Sequence, residues 1–367
     1  MSDKSKNNCC KKTSIGGQAL MEGIMMRGPK TTAMAVRNTS GEIVVEKFPT
    51  ETKNRAKFFK LPIVRGVFNY IDAMTMGTKC LMRSAEISGL DDAEKEYELE
   101  KKAKKAAKQN GTTVKEELEA LRAQQSSREQ NQETAKVPEK KSSMMNVVMF
   151  FSVLLGICFS VLLFIIVPTY IYGLLTWVFP ALKFEGNPAL SSLVKSVFEG
   201  ILKIGILVGY MAAVSLMKDI KRTFMFHGAE HKTIFCYENG LELTVENVRN
   251  QKRFHPRCGT SFLILMLLVG IFVSFFIDPL FYLIFGFEIP YTIIRVLIKL
   301  ALLPIIVGIG YELIKIAGRY DNFLTKIISA PGVWLQHVTV LEPTDDMIEC
   351  AITAVKEVIP EDDSDKW

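Results

Sequence analysis

The sequence predicts a mostly α, polytopic helical membrane protein of about four transmembrane helices, with a small amino-terminal module that contains a β-hairpin and a helix. Three observations carry that expectation. No charged residue lies between Ser142 and Lys183, in a chain of 367 residues of which 49% are apolar; a soluble core does not need such a stretch. The mean hydropathy of +0.18 is high for a cytosolic enzyme. Near the amino terminus, two short strand-forming runs flank a turn signal.

Taken in chain order, residues 1–13 read as a disordered tail and 14–90 as a cytoplasmic module. The stretch 16–29 is punctuated by glycine but lacks the Lys-Ser/Thr ending of a phosphate loop and the glycine spacing of a dinucleotide fingerprint. It reads as a tight turn into the hairpin, or as a place where Glu22 and Arg27 enter a site. Residues 32–37 and 42–48 are the strands, joined by Asn38, Thr39, Ser40 and Gly41. Residues 61–88 have helical apolar spacing and few charges, which suits a buried or membrane-surface amphipathic helix. From 91 to 143 the chain turns charged and polar, a solvated helix or a disordered tether.

The membrane domain is expected over 144–317, with spans near 147–167, 193–217, 261–285 and 291–316, since about 20 residues at 1.5 Å each cross the hydrocarbon layer. The first span lies too far along the chain to be a signal peptide. Lys195, Glu199 and Lys203 stripe the second span, and Arg295 and Lys299 the fourth. Such charges either snorkel and pair near the outer interface or line a polar cavity. Asp278 and Pro279 predict a break after Ile277, leaving 280–287 as a separate piece.

Loops 168–192 and 278–290 hold one basic residue between them, Lys183, whereas 218–260 holds eight. The positive-inside rule then places both termini and the 218–260 loop in the cytoplasm of a multi-pass protein of the cell membrane. The net charge of +6 comes mainly from the amino-terminal third, where Lys-rich stretches favour anionic headgroups of the bilayer. No aromatic-studded basic groove points to nucleic acid. Seven scattered cysteines give no paired framework, which excludes a disulfide-stapled secreted domain and suits reduced thiols.

Three of the four histidines fall between 227 and 255. The string His227, Gly228, Ala229, Glu230, His231 puts two imidazoles one helical turn apart on one face, the spacing that a single metal ion needs. It has the H-x-x-E-H order in which the carboxylate beside a ligand serves as general base on water. His255 and Cys258 add a further imidazole and a thiol three residues apart. The candidate ligands of Zn²⁺ are therefore His227, His231, His255 and Cys258, with Glu230 as the catalytic base. If Cys258 and all three imidazoles close the shell the metal is structural; an open position makes it catalytic. Cys236 reads as a small buried residue and His337 as an interface residue. The segment 318–367 reads as a cytoplasmic tail, net acidic, ending in an amphipathic helix from about Asp345 to Val358 that Thr344 caps. Arg319 and Asp321 either face the histidine loop or pair with each other. No G-x-S-x-G elbow is present.

The strings at 16–28, at 227–232 (His-Gly-Ala-Glu-His-Lys), at 253–262 (Arg-Phe-His-Pro-Arg-Cys-Gly-Thr-Ser-Phe) and at 319–322 (Arg-Tyr-Asp-Asn) together resemble the bacterial YqhQ-like family. The resemblance spans nearly the whole chain outside 91–141 and the extreme termini. It implies a polytopic membrane protein and a metal-dependent enzyme, the metal resting on His227, Glu230, His231, His255 and Cys258. The leading functional expectation is a metal-dependent, hydrolytic site on the cytoplasmic face acting on a peptide or lipid. Its rivals are a scaffold or assembly factor that meets protein partners through the charged tether and acidic tail, and a small transporter built on the charge stripes.

Overall fold

The computed structural model describes residues 12–50, 56–89, 99–104, 106–107, 113–122, 143–184, 186, 188–287, 289, 291–320 and 322–366. Most of the expected tail and tether, including Cys9 and Cys10, and Asp321 lie outside the described residues. Strands β1 (Gly16–Leu20), β2 (Gly23–Arg27), β3 (Thr31–Arg37) and β4 (Ile43–Pro49) form one antiparallel meander in chain order. The expected hairpin is β3–β4, with Ala35 opposite Val45 and Arg37 opposite Ile43. The stretch expected as a turn is itself a second hairpin, in which Leu20 opposes Gly23 and only Met21 and Glu22 reverse the chain. Glu22 takes a φ of +50° there, and its carboxylate receives two hydrogen bonds from Arg222, both at 2.5 Å.

Period two sorts the strands into two faces. Ile24, Met26, Ala33 and Ala35 point to one layer, and Leu20, Met25, Met34 and Val36 to the other. Because both faces are covered, β2 reads as a continuous apolar run and not as an alternation, which hid it in the sequence.

Helix α1 (Val64–Ile87) covers the second face through Cys80. It then reaches a membrane helix, where Arg65 donates to Glu312 at 2.7 and 2.5 Å and Asn69 to the Tyr311 hydroxyl at 2.9 Å. Ile71 and Met74 stay exposed, in keeping with a helix at the membrane surface. The chain continues through α2 (Ser143–Val161), a π-helical turn (Leu162–Ile166), α3 (Val167–Val178), α4 (Pro188–Val214), α5 (Lys218–Glu238), α6 (Val245–Arg249), α7 (Gly259–Phe285), α8 (Thr292–Arg319), α9 (Phe323–Thr339) and α10 (Asp345–Lys356). Four of these stretches are long and apolar enough to cross a membrane: Phe151–Val178, Leu190–Val214, Gly259–Phe285 and Ile293–Arg319.

Two boundaries differ from expectation. The first apolar helix does not end at 167 but runs on to Val178. The π turn immediately before Pro168 changes the hydrogen-bond register, so the proline starts the next helical stretch, where its missing N–H costs little. The third does not break after Ile277; α7 passes through Pro279. Only one amide is lost there, an unwound backbone in hydrocarbon would lose several, and Asp278 is held by Arg295 of α8 at 2.8 Å.

The first sheet face is covered by α5 and α10, so segments from three parts of the chain build one core around Phe226, Ala229, Val248, Met347, Ile348, Ala351 and Val355. The i, i+4, i+8 spacing of Met347, Ala351 and Val355 explains why α10 docks. Each fully buried Ile or Met contributes roughly 1.5–3 kcal/mol. Thr344 occupies the N-cap of α10, but its side chain makes no capping bond. The start of α9 carries a reciprocal Asn322–Thr325 capping box instead.

Candidate metal centre

Helix α5 carries His227 and His231 four residues apart, and their ring centroids lie 4.5 Å from each other. Each ring is oriented by a backbone carbonyl. His227 Nδ1 donates to the oxygen of Thr339, the last residue of α9, at 3.0 Å, and His231 Nδ1 to that of Arg253 at 2.6 Å. A carbonyl only accepts, so both rings hold their proton on Nδ1 when neutral and turn Nε2 inward as a lone pair. His231 Nε2 is buried and has no hydrogen-bond partner among the described residues.

Cys258 completes the group from a different direction. It is the N-cap of α7, its Sγ accepting from the Thr260 amide at 3.4 Å, and it lies 3.0 Å from His227 Nε2. Burial alone would push this thiol up. The charges of His227 and His231 outweigh it and bring Cys258 well below the usual thiol range, and the positive end of a helix favours the same thiolate. Burial likewise pulls His227 down, but the Cys258 thiolate and then Glu230 hold it up at about 9.

One donor atom from each of His227, His231 and Cys258 lies within 4.8 Å of the other two. Tetrahedral zinc bonds of about 2.0–2.3 Å separate ligand atoms by roughly 3.3–3.7 Å, so these residues could hold one metal ion with little movement.

Glu230 sits beside the trio. Its Oε1 accepts from the Gly17 amide at 3.0 Å and its Oε2 is 3.9 Å from His227 Nε2. The contact explains Gly17: a Cβ there would stand 2.8 Å from Glu230 Cγ and 2.7 Å from the Met25 oxygen. Gly228 is needed for the same kind of reason, since a side chain would overlap the Leu341 carbonyl.

His255, expected among the ligands, is turned away from the trio. Its Nε2 faces Glu238 Oε2 at 3.6 Å and its Nδ1 accepts from the Arg257 amide at 3.3 Å. Burial lowers its pKa further than Glu238 raises it, and the charge of Arg257 lowers it again. Gln336 fixes this loop from α9, accepting from the His255 amide at 2.8 Å and donating to the His255 carbonyl at 2.7 Å. Cys236 is fully buried in the core. His337 is exposed and stacks on Phe254 at 4.4 Å. Sequence reasoning missed Gly17, Gln336, Glu238, Arg257 and the Thr339 and Arg253 carbonyls. For Gly17 the glycine-rich stretch was a signal; backbone carbonyls leave none.

The Uncharacterized protein YqhQ of Bacillus subtilis (strain 168) is 32% identical to this chain over 352 residues, which covers 94% of this chain and 92% of that protein. A family described as Protein of unknown function (DUF1385) matches residues 61–361, a stretch that takes in α1, all four apolar helices and the histidine segment. No solved structure matches the chain. On the extent of both similarities, the chain belongs to the DUF1385 family, that of the YqhQ-like proteins.

Proposed function

We propose that this protein is a multi-pass enzyme of the cell membrane, both termini cytoplasmic, that holds Zn²⁺ on His227, His231 and Cys258 and hydrolyses a peptide or lipid substrate at the membrane border. The observation that carries the reading is the buried, unpartnered His231 Nε2, which shares one small space with His227 Nε2 and Cys258 Sγ. A buried acceptor left unpaired costs about 1–3 kcal/mol, and a metal ion removes that cost. Three ligands with no fourth among the described residues match the open shell of a catalytic site. Bound zinc would supply Lewis-acid polarisation of a substrate oxygen and ease proton removal from water. Glu230 would serve as the base, with the Gly17 amide on one oxygen and the other 3.9 Å from His227 Nε2. Cys258 lies one residue before the apolar helix α7, so an amphiphilic substrate suits the location, and the charged tether and acidic tail are surfaces for protein partners.

The test is metal content of the full-length, detergent-purified protein by mass spectrometry. Near-stoichiometric zinc is expected in the wild type, lost in His227→Ala/His231→Ala and kept in Glu230→Gln. A folded wild type that takes up no zinc when it is supplied sinks the reading. One distance favours a second one: Cys258 Sγ and His227 Nε2 at 3.0 Å are a thiolate–imidazolium pair, the arrangement of a nucleophilic cysteine. Iodoacetamide separates the two. Zinc-loaded protein should shield Cys258, whereas a metal-free nucleophile should be alkylated rapidly with no protection by zinc.

A further inference from the structure

About 20 residues along α7 from Cys258, and so roughly 30 Å away at 1.5 Å per residue, a second polar cluster lies among the apolar helices. Glu199 of α4 is 2% exposed. It accepts from Lys299 of α8 at 3.2 Å and from Thr169 of α3 at 3.1 Å, and Lys203, one turn on, lies 3.6 Å away. Asp278 of α7 accepts twice from Arg295 of α8, at 3.0 and 2.8 Å, and once from Ser192 of α4 at 3.4 Å. The side chains do not reach out to an interface as isolated snorkelling residues; helices α3, α4, α7 and α8 turn them toward one another.

The charges of this cluster do not balance. Lys195, Lys203, Arg295 and Lys299 supply four cations, and Glu199 and Asp278 two carboxylates. Lys195 feels the charges of Arg295, Glu199, Asp278 and Lys299, yet among the described residues no carboxylate lies within ion-pair distance of it. An uncompensated cation inside a bilayer is expensive, and ionisable groups there mark binding sites and pathways. Lys299 gives one N–H to Glu199, and Arg295 gives only its Nε and one terminal nitrogen to Asp278, so both keep further N–H donors, the complement an oxyanion recruits.

We propose that Lys195, Lys203, Arg295 and Lys299 form a binding site for a phosphate-bearing anion within the membrane domain, at the end remote from the sheet. A phosphate group brings the missing negative charge and accepts from several donors at once, with Arg295 and the lysines as its partners and Glu199 and Asp278 holding the cations in place. The ligand is a lipid phosphodiester headgroup or free phosphate, which carry the same recognition chemistry. The site is independent of the zinc reading.

Full-length protein in phosphatidylcholine nanodiscs, titrated with inorganic phosphate, and a parallel series with increasing phosphatidylglycerol, test the proposal by thermal unfolding. A rise of several degrees with phosphate in phosphatidylcholine discs assigns free phosphate; a rise with phosphatidylglycerol alone assigns the headgroup. Lys195→Gln removes the cation that has no carboxylate partner among the described residues, so it orphans none of their charges. It should weaken the response at least tenfold while unfolding, without ligand, no earlier than the wild type. Native mass spectrometry of the wild type gives a second readout, with a phosphate-bearing adduct expected to survive delipidation. No response to either probe and no adduct, or an undiminished response in Lys195→Gln, overturns the proposal.

Discussion

The two polar clusters of this protein are buried to a similar degree and are built on opposite plans. Around His227, His231 and Cys258, backbone carbonyls of Thr339 and Arg253 fix the rings and leave the inward-facing His231 Nε2 without a partner among the described residues. Around Glu199 and Asp278, side chains satisfy side chains across four helices. The first arrangement leaves room for a ligand at little cost to the fold, because backbone does the positioning. In the second the paired groups are themselves the glue, so substituting Glu199, Asp278, Lys203, Arg295 or Lys299 disturbs both stability and binding, and Lys195, which has no carboxylate partner among the described residues, is the exception.

That contrast is broken most severely at Glu199. Glu199→Gln leaves Lys203 and Lys299 buried without their carboxylate, and losing one partner of a buried ion pair costs about 3–5 kcal/mol. Thermal unfolding in detergent should show it as the least stable of the variants named here, with Lys299→Met on the same background recovering part of the loss. Cys258→Ser, by comparison, should change metal-free stability by about 1 kcal/mol or less and abolish zinc uptake. Equal losses of stability in the two variants would erase the distinction between the clusters.

Next in size is Gln336, which holds the His255 loop from α9 and donates to Ser261 Oγ at 3.1 Å. Gln336→Leu orphans the amide and carbonyl of His255, at about 1–3 kcal/mol for each buried group left unpaired. Displacing the neighbouring Arg253 carbonyl frees His231, so zinc affinity should fall by about 10–100-fold, the usual effect of removing an outer partner. Calorimetric titration with zinc checks both. An unchanged affinity would show that the loop is not what orients His231.

Glu238 gives a pH signature outside both clusters. Burial alone would raise this carboxyl, but His255, Arg257 and the Thr13 amide hold it below the usual value. A depressed folded-state pKa adds stability above the unfolded value near 4.5 that is lost as the pH falls through the folded one. The acid limb of the unfolding profile should therefore be shallower below pH 4.5 in Glu238→Gln. Coincident limbs would show that the bonds from Thr13 and Arg257 contribute nothing to acid stability.

What the sequence made legible follows the same divide. The two histidines one turn apart, the nearby thiol and the apolar runs are local patterns, and they appear where spacing puts them. The pairing of β1 with β2 was not legible because a strand covered on both faces has no alternation. The role of His255 was not, because three-residue spacing from Cys258 says nothing of which way the loop turns, and Gln336, 81 residues on, decides it. Snorkelling and cavity-lining gave the same stripes on α4 and α8; contacts between helices, such as Lys299 with Glu199 across 100 residues and Arg295 with Asp278, separate them.

The sharpest test of the candidate metal centre is a substitution at a residue that supplies no ligand. Gly17 lies on β1, more than 200 residues from Glu230, and its amide is the hydrogen-bond donor on Glu230 Oε1. Gly17→Ala puts a methyl against Glu230 Cγ and the Met25 oxygen, a crowding of the kind that costs about 1–3 kcal/mol when the neighbours can shift. Glu230 Cγ and Met26 Sδ are the side-chain neighbours that can give way while the Met25 oxygen is backbone, so the substitution should both turn the carboxylate away from His227 and strain the pairing of β1 with β2. Zinc content should then equal that of the wild type, since none of the three ligands touches Gly17, while the hydrolysis proposed for this site should fall toward that of Glu230→Gln. Full activity in Gly17→Ala would mean that Glu230 acts without its anchor, or does not act at all. Loss of zinc would instead show that the sheet holds the ligands themselves, and that the amino-terminal hairpin is part of the metal shell.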